Sequence, residues 1–402
     1  MKQIKYNKLV SKFKICYKNN KKKVLGGLFI VSALVGGCFV YGKYFQNNND
    51  VALKYLDAVL AMENESFESD SDIKYKVAIA DDKTSVAVDL KTEKAHFAQK
   101  RNEKIMDSDF AFNADFDLDY NFNLKDGKIK SNLKDGKFGV NIVFKDGVFY
   151  FQPKFKDLIE KLKKELEKNK DTQQVSGLVT MANLYDNKVI YIDVRKLLPV
   201  IGMNEEQFEE VVKESIEQDK EIIALLKKAQ KEGNGILKFN SNGFGLLSSC
   251  YNVELNYTNL KKFVENNKTE LAKILQIPEN DFDEFIKKIE GEFQKLTLED
   301  KKTILNFVDN FEYNVCMSAG KIEKEEVEVN INKEDILSLG KVIAKFDKES
   351  EAGFKEFENF DKLNTKFEVK TEYKYTTPKI KAMKGDVDLG ALLLGLSFSD
   401  NK

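Results

Sequence analysis

A run of 19 uncharged residues, 24–42, constrains this chain more than any other feature of its sequence. Nine lysines and no acidic residue precede it in residues 1–23. At about 1.5 Å of rise per residue, a helix of this length spans about 28 Å, close to the thickness of the hydrocarbon core of a bilayer. The run therefore predicts a transmembrane helix that acts as a signal-anchor. By the positive-inside rule, the basic tail of residues 1–23 stays in the cytoplasm.

Two alternatives stay open for the same segment. Residues 35–38 resemble a lipobox, in which Cys38 would carry the lipid, and a cleaved secretory signal would also begin with a basic and then an apolar stretch. We favour the uncleaved anchor because the apolar run continues past Cys38 and ends at Tyr41 and Lys43, an aromatic and basic edge typical of a membrane interface. The prediction is a single-pass protein of the cell (inner) membrane with an extracytoplasmic, periplasmic C-terminal region.

The charge balance of the external part argues against nucleic acid as a partner. All 66 acidic residues lie beyond residue 42, but only 56 of the 65 basic ones do. Nucleic-acid binding depends on basic patches that neutralise phosphates. The partner that we expect instead is the membrane, whose anionic lipids attract the cytoplasmic tail.

Two of the four cysteines, Cys250 and Cys316, lie in the external part, each beside a strand-like segment. An oxidising compartment would allow a disulfide between them, which would close a loop of about 66 residues. The alternative is two unpaired, buried thiols.

Strict alternation of apolar and polar residues marks one long strand with one apolar and one wet face. Its apolar positions are Phe110, Phe112, Ala114, Phe116, Leu118, Tyr120, Phe122 and Leu124. Asp-Gly pairs at 126–127, 135–136 and 146–147 predict hairpin turns, because both residues tolerate positive φ. Residues 72–152 therefore predict an antiparallel meander. Further strands are predicted at 189–194, 250–257, 327–331 and 367–375.

Amphipathic helices separate these strands. They are predicted at 51–62, 156–168, 205–231, 260–275, 281–296 and 334–346. One more helix is predicted to start after Thr297, which would be its N-cap with Asp300 at position N3. A short strand that runs into a helix recurs four times, which suggests two related modules with a boundary near residues 232–235. The predicted division is a tail (1–23), a transmembrane helix (24–42), a β-rich module with helices (43–232) and a second α+β module (233–402).

The helix at 51–62, followed by Ser66, Phe67 and alternating strands from Ile73 to Phe151, resembles the LolA/LppX-type bacterial envelope carriers of lipoproteins and lipids. The resemblance implies an α+β fold in which an antiparallel meander forms a half-barrel covered by amphipathic helices. It also implies an apolar cavity for lipid chains. The extra helices and the membrane helix depart from that group and put a shuttling role in doubt.

Catalytic and metal-binding patterns are not found in the sequence. The single histidine, His96, excludes a metal site built on two histidines, and we interpret it as an isolated surface residue. The acidic residues Asp107, Asp109, Asp115, Asp117 and Asp119 predict a solvated face paired with Lys128, Lys130 and Lys134. We expect no cofactor, no metal and no enzymatic activity.

The aromatic stripe opposite these carboxylates is the candidate binding surface: Phe110, Phe112, Phe116, Tyr120 and Phe122. Such a stripe either fills a core or lines a site for acyl chains. The leading hypothesis is a membrane-anchored, non-catalytic bacterial envelope protein that binds lipid or another hydrophobic partner through a curved antiparallel sheet. The alternative is a structural or interaction protein of an envelope assembly, with a solid core and no ligand.

Overall fold

The computed structural model of the chain describes residues 49–124, 130–168, 184–244, 249–345, 354 and 357–391. The predicted transmembrane segment and the Asp-Gly pair at 126–127 lie outside these residues. Within the described part, no helix combines the length and the apolar character needed to cross a bilayer.

Twelve strands form one mixed, open sheet, so the fold is α+β. In chain order the strands are β1 (Phe67–Asp81), β2 (Thr84–Lys100), β3 (Asp109–Leu124), β4 (Lys130–Lys145), β5 (Val148–Lys154), β6 (Ile190–Asp193), β7 (Leu237–Phe244), β8 (Ser249–Leu255), β9 (Phe311–Ser318), β10 (Lys321–Asn332), β11 (Phe360–Lys374) and β12 (Val387–Asp388). Their order across the sheet is β12-β6-β5-β4-β3-β2-β1-β11-β10-β9-β8-β7. Within the described residues, β12 and β6 are the only neighbours in the sheet that run parallel.

The predicted meander is confirmed, because β1 to β5 follow one another in the sheet with antiparallel pairing. The sheet then continues through β11, which pairs with β1 over almost its whole length. Strands from both sides of the predicted module boundary therefore share one sheet. The division into two modules stays a prediction.

Nine α-helices and three short 3-10 segments join the strands in the described part. The helices are α1 (Asn49–Asn64), α2 (Lys156–Lys168), α3 (Val194–Leu197), α4 (Glu205–Lys231), α5 (Tyr257–Asn266), α6 (Lys268–Ile274), α7 (Glu279–Gln294), α8 (Leu298–Val308) and α9 (Lys333–Ile343). The Thr297 cap is confirmed: its hydroxyl accepts from Asp300 N, and the Asp300 carboxylate accepts from Thr297 N. Asn204 and Asn332 form the same reciprocal capping box at α4 and α9.

The prediction of one helix over residues 260–275 is wrong, because the chain forms α5 and α6 with Asn267 between them. Asn267 has φ −122° and ψ 28°, outside the helical region, and it is buried. Its side-chain amide donates to the Phe263 carbonyl at 2.8 Å, which satisfies one end group of α5. An asparagine inside an apolar helical pattern gives little local sign of such a break.

The two described Asp-Gly pairs form different structures. Asp146 and Gly147 have φ 51° and 75° and form the predicted two-residue hairpin between β4 and β5. The turn predicted at Asp135 and Gly136 is wrong, because both residues lie inside β4. Asp135, at φ 52°, occupies a β-bulge, and its N–H donates to the Asp119 carboxylate at 2.9 Å. The dipeptide supplies the positive φ in both places, but strand pairing decides whether the chain turns.

The main core lies between α1 and one face of β7 to β10. It contains Val51, Ala52, Ala58, Phe239, Tyr251, Val315, Met317 and Ile322. Smaller cores join α4 with α5 and α6, α6 with α7, and α8 with α9. Strand β7 was not predicted, because polar residues and one glycine interrupt the alternation in its sequence from Leu237 to Phe244.

A segment after β11 crosses the sheet to its opposite edge. Residues 375–386 run from β11 to β12, which pairs with β6 five strands beyond β1. On the way, Ile380 and Met383 pack on Ala98, Ala111 and Val143 of β2 to β4. Asp386 fixes the far end, because its carboxylate accepts from Val189 N at 2.9 Å.

Candidate binding face

Strand pairing gathers aromatic side chains from four strands onto one face of the sheet. Residues directly opposite in neighbouring strands point to the same side. We define the aromatic face as the side chains of β2 to β5 that share the side of Phe112. Its large members are Phe97, Phe110, Phe112, Phe116, Tyr120, Phe122, Phe138, Ile142, Phe144, Phe149 and Phe151.

All five aromatic residues predicted for the site lie on this face of β3, which confirms the predicted one-sided strand but does not test its role in binding. Each of the five is half-buried. The fully buried apolar side chains of the main core, such as Val315 with 0% exposure, contrast with them. The stripe is therefore a partly exposed surface.

Cross-strand stacking orders the rings. Phe110 and Phe144 have ring centroids 5.4 Å apart, and Phe116 and Phe138 have centroids 4.9 Å apart, both with planes 13° from parallel. Offset or stacked aromatic pairs contribute about 0.5–1.5 kcal/mol beyond their area burial. The two stacked pairs thus lie on the same face of the β3–β4 ladder, on either side of Ala114, which is 1% exposed.

Helix α2 packs on one end of the aromatic face. A Cβ atom added at Gly136, which lies opposite Leu118, would be 2.7 Å from Leu133 Cδ2 and 3.0 Å from Leu158 Cδ1 of α2. Gly136 therefore allows the close approach of α2 to β4. Helix α1 lies on the same side of the sheet but over β7 to β10.

The opposite face of β1 to β5 is mostly charged, as the alternation predicts, but Ala98, Ala111 and Val143 also lie on it, under Ile380 and Met383. Asp109 pairs with Lys145 at 2.9 Å, Asp115 with Lys154 at 3.3 Å, and Asp117 with Lys137 at 3.6 Å. The prediction of a solvated face is wrong at Asp109, which is 3% exposed. Asp107 pairs with Arg195 at 3.3 Å. The predicted partner Lys134 is not among these cations, because the bulge at Asp135 shifts the register of β4. The side chains of the other predicted partners, Lys128 and Lys130, lie outside what the structure describes.

His96 is on the charged face and is not isolated. Its Nδ1 lies 2.8 Å from Asp70 Oδ1, directly across the β1–β2 ladder, and Lys374 Nζ lies 3.0 Å from Asp70 Oδ2. This contact with His96 and the ion pair with Lys374 hold the pKa of Asp70 below its usual value. His96 is thus part of a row of charged side chains on the surface. The described residues contain no cluster of three or more His, Cys, Asp or Glu that could hold a metal ion.

A polar network that the sequence did not reveal lies beside the aromatic face. The hydroxyls of Tyr313 and Tyr373 both donate to the carboxylate of Glu325, one to each oxygen. Tyr55 of α1 extends the network, with its hydroxyl 3.2 Å from that of Tyr313. Its members come from α1, β9, β10 and β11, and no local pattern links them.

Burial and the negative charge of Glu325 set the ionisation of these tyrosines. Burial is the main cause that raises the pKa of Tyr313 and of Tyr373 far above the usual range, and Glu325 adds to it. Burial likewise raises the pKa of Tyr375 to about 12. The hydroxyls therefore remain donors across the physiological range of pH.

The structure joins Cys250 and Cys316 in a disulfide between β8 and β9, with the sulfur atoms 2.07 Å apart. The two residues are direct cross-strand partners. The bridge closes the expected 66-residue loop at the end of the sheet that α1 covers.

Comparisons of the chain with protein-family models, with curated proteins and with solved structures found no match.

Proposed function

We propose that this chain is a membrane-anchored, non-catalytic protein of a bacterial envelope that binds the apolar part of a lipid on its aromatic face. One observation carries the proposal: all five aromatic residues of β3 are half-buried, although the same chain encloses Val315, Val308 and Phe282 almost completely. Contiguous apolar surface that water can reach usually marks a binding site.

The energetics of such binding come from removing apolar surface from water, which contributes about 25 cal/mol for each Å². Strand β3 has 16 residues, so the face extends for about 54 Å along it at about 3.4 Å per residue. A surface of this size has room for an extended hydrocarbon chain laid either along or across the strands. The lysine–carboxylate pairs on the opposite face suit contact with water where residues 375–386 do not cover it.

The finer architecture belongs to this proposal as well. We infer that the open sheet curves into a half-barrel around the aromatic face, in the manner of the LolA/LppX-type carriers that the N-terminal part resembles. The extra helices and the predicted anchor make a fixed, membrane-bound lipid-binding protein a better proposal than a free shuttle.

The predicted anchor at residues 24–42 would place the aromatic face on the extracytoplasmic side of the inner membrane. The disulfide between Cys250 and Cys316 supports this location, because disulfides persist in oxidising compartments and are rare in the cytoplasm.

A second candidate is an interaction protein of an envelope assembly with a solid core. It is supported by the well-filled packing around α7 and α8, where Phe282 and Ile304 are each 1% exposed. In that case the aromatic face would be covered by another protein.

A tryptophan reporter tests the proposal, because the chain contains no tryptophan. Phe116→Trp places a single fluorophore on the aromatic face, and Asn113→Trp places it on the exposed opposite face of the same strand. Phospholipid with brominated acyl chains should quench the fluorescence of the Phe116→Trp chain much more strongly than that of the Asn113→Trp chain. Equal quenching of the two reporters, or none, would refute lipid binding on this face.

A further inference from the structure

We infer that the lipid on the aromatic face has a neutral or cationic polar end that donates hydrogen bonds, such as a hydroxyl or an amine, and not an anionic one. This inference rests on the proposed function and names the chemistry of its ligand. The feature behind it is Glu325 with its tyrosine partners, at the border of the aromatic face.

Strand register places Glu325 in line with the aromatic face. Tyr373, which donates to Glu325, lies in one cross-strand row with Ser69, Phe97, Phe112, Ile142 and Phe151. Glu325 itself lies in the adjacent row, between Val315 of β9 and Thr371, which is opposite Ser71. With about 4.8 Å between strands, the distance from β10, which carries Glu325, to β3 is about 19 Å. A chain laid across the strands would thus reach from the phenylalanines to the carboxylate.

The polar side chains at this border retain hydrogen-bonding capacity. A carboxylate can accept about four hydrogen bonds, and the two tyrosine hydroxyls occupy one site on each oxygen of Glu325. Glu325 is half-buried, so part of it is accessible. Next to it, Ser71 Oγ and Thr371 Oγ1 share a hydrogen bond of 2.9 Å, and either can turn to a ligand.

The charges around Glu325 distinguish an anionic polar end of the lipid from a neutral or cationic one. The two rows that contain Glu325 and Tyr373 carry no lysine or arginine from β10 to β5. Lys321, whose Nζ lies 4.4 Å from the ring centroid of Tyr375 beside these rows, is already paired with Glu65 at 2.6 Å. An anion placed beside Glu325 would meet a like charge at the edge of an apolar surface, where repulsion is less screened than in water. A hydroxyl or ammonium group would instead donate to the carboxylate, and such charge-assisted hydrogen bonds are the strong ones.

The test uses the full chain with the Phe116→Trp reporter, in a fluorinated surfactant that mixes poorly with alkyl chains. Monopalmitoylglycerol, hexadecylamine and hexadecane sulfonate have the same chain length but neutral, cationic and anionic ends. We expect the first two to bind at least about tenfold more tightly than the sulfonate, as read from the tryptophan emission. Glu325→Gln should reduce this difference to less than about threefold.

Glu328→Gln is the matched control, because Glu328 lies on the same strand but on the charged face, paired with Lys366 at 2.7 Å. It should leave the preference unchanged. Sulfonate binding as tight as that of the amine and the glycerol ester in the chain with native Glu325 would overturn the inference, while the proposed function would stand. If none of the three ligands changes the emission, the proposed function fails and the inference fails with it.

Discussion

Phe116 and Phe138 stack across the β3–β4 ladder with ring centroids 4.9 Å apart, yet both rings remain half-buried. Each ring packs against its partner, while part of the pair stays accessible to solvent. A pair in a filled core would be enclosed on all sides, as Phe282 is at 1% exposure. The relationship between the two rings therefore favours a surface prepared for an apolar ligand.

Truncation of a ring should cost little stability on the aromatic face and much in the core. We expect Phe116→Ala to lower the free energy of unfolding by about 1–2 kcal/mol, because only part of the ring is buried. Phe282→Ala, the matched control, should lower it by about 3–5 kcal/mol. Urea denaturation of the ligand-free chain measures both. A loss from Phe116→Ala as large as that from Phe282→Ala would identify the aromatic face as a closed core.

Removing the disulfide should weaken the end of the sheet that α1 covers. The double change Cys250→Ser and Cys316→Ser is expected to lower the free energy of unfolding by about 2–4 kcal/mol, since the bridge constrains the unfolded chain. Alkylation of non-reduced chain should leave both cysteines unmodified, in a background where Cys16 and Cys38 are replaced by serine. Modification of both in chain isolated without reductant would show that the bridge does not form in the cell.

Asp300 should stabilise the protein more at neutral pH than in acid. Lys345 Nζ lies 2.6 Å and 2.7 Å from the two carboxylate oxygens, and this contact is the main reason that the pKa of Asp300 is below its usual value. Its contribution is therefore present above about pH 4 and is lost as the pH falls through the lowered pKa. Asp300→Asn should cost about 1–2 kcal/mol at pH 7 and clearly less near pH 2, by thermal or urea denaturation.

Asp335→Asn is the control for that experiment. Asp335 fills the same capping position in α9 and forms no ion pair within the part of the chain that the structure describes. Its replacement should cost less than that of Asp300, and equal costs at pH 7 would assign the effect to capping alone.

The buried tyrosines should make the protein sensitive to alkali. Tyrosines in the unfolded chain lose their protons near pH 10, whereas Tyr313 and Tyr373 stay protonated in the folded state because their pKa values are raised. Stability from these groups is therefore complete below pH 10 and falls as the pH rises above it. Between pH 10 and 11, the free energy of unfolding of the native chain should fall by up to about 1.4 kcal/mol more than that of the Tyr313→Phe variant. Urea denaturation at each pH measures both. An equal fall in the two chains would contradict the buried network.

Local patterns predicted much of the fold. The alternation over residues 110–124 identified β3 within one residue, and the apolar stripes at 156–168 and 205–231 gave α2 and α4 with their observed bounds. These signals are local because the side chains of a strand or helix alternate between its faces with a fixed period along the sequence. The five aromatic residues of the stripe were identified for the same reason.

The remainder depends on which strands become neighbours. The bulge at Asp135 and the hairpin at Asp146 use the same dipeptide, and only the pairing of β4 with β3 distinguishes them. The network of Tyr55, Tyr313 and Glu325 joins residues up to 270 positions apart, so no window of sequence contains it. Alternation also identifies the apolar face but not the extent to which helices cover it.

Photocrosslinking in intact cells tests lipid binding on the aromatic face most directly. Cells that express the full chain would incorporate a fatty acid with a diazirine in its chain, and after irradiation the crosslinked peptides would be mapped by mass spectrometry. If lipid binds the aromatic face, we expect lipid adducts on β3 and β4, between residues 110 and 144, in addition to any in residues 24–42. Adducts confined to residues 24–42, with β3 and β4 unmodified, would contradict it.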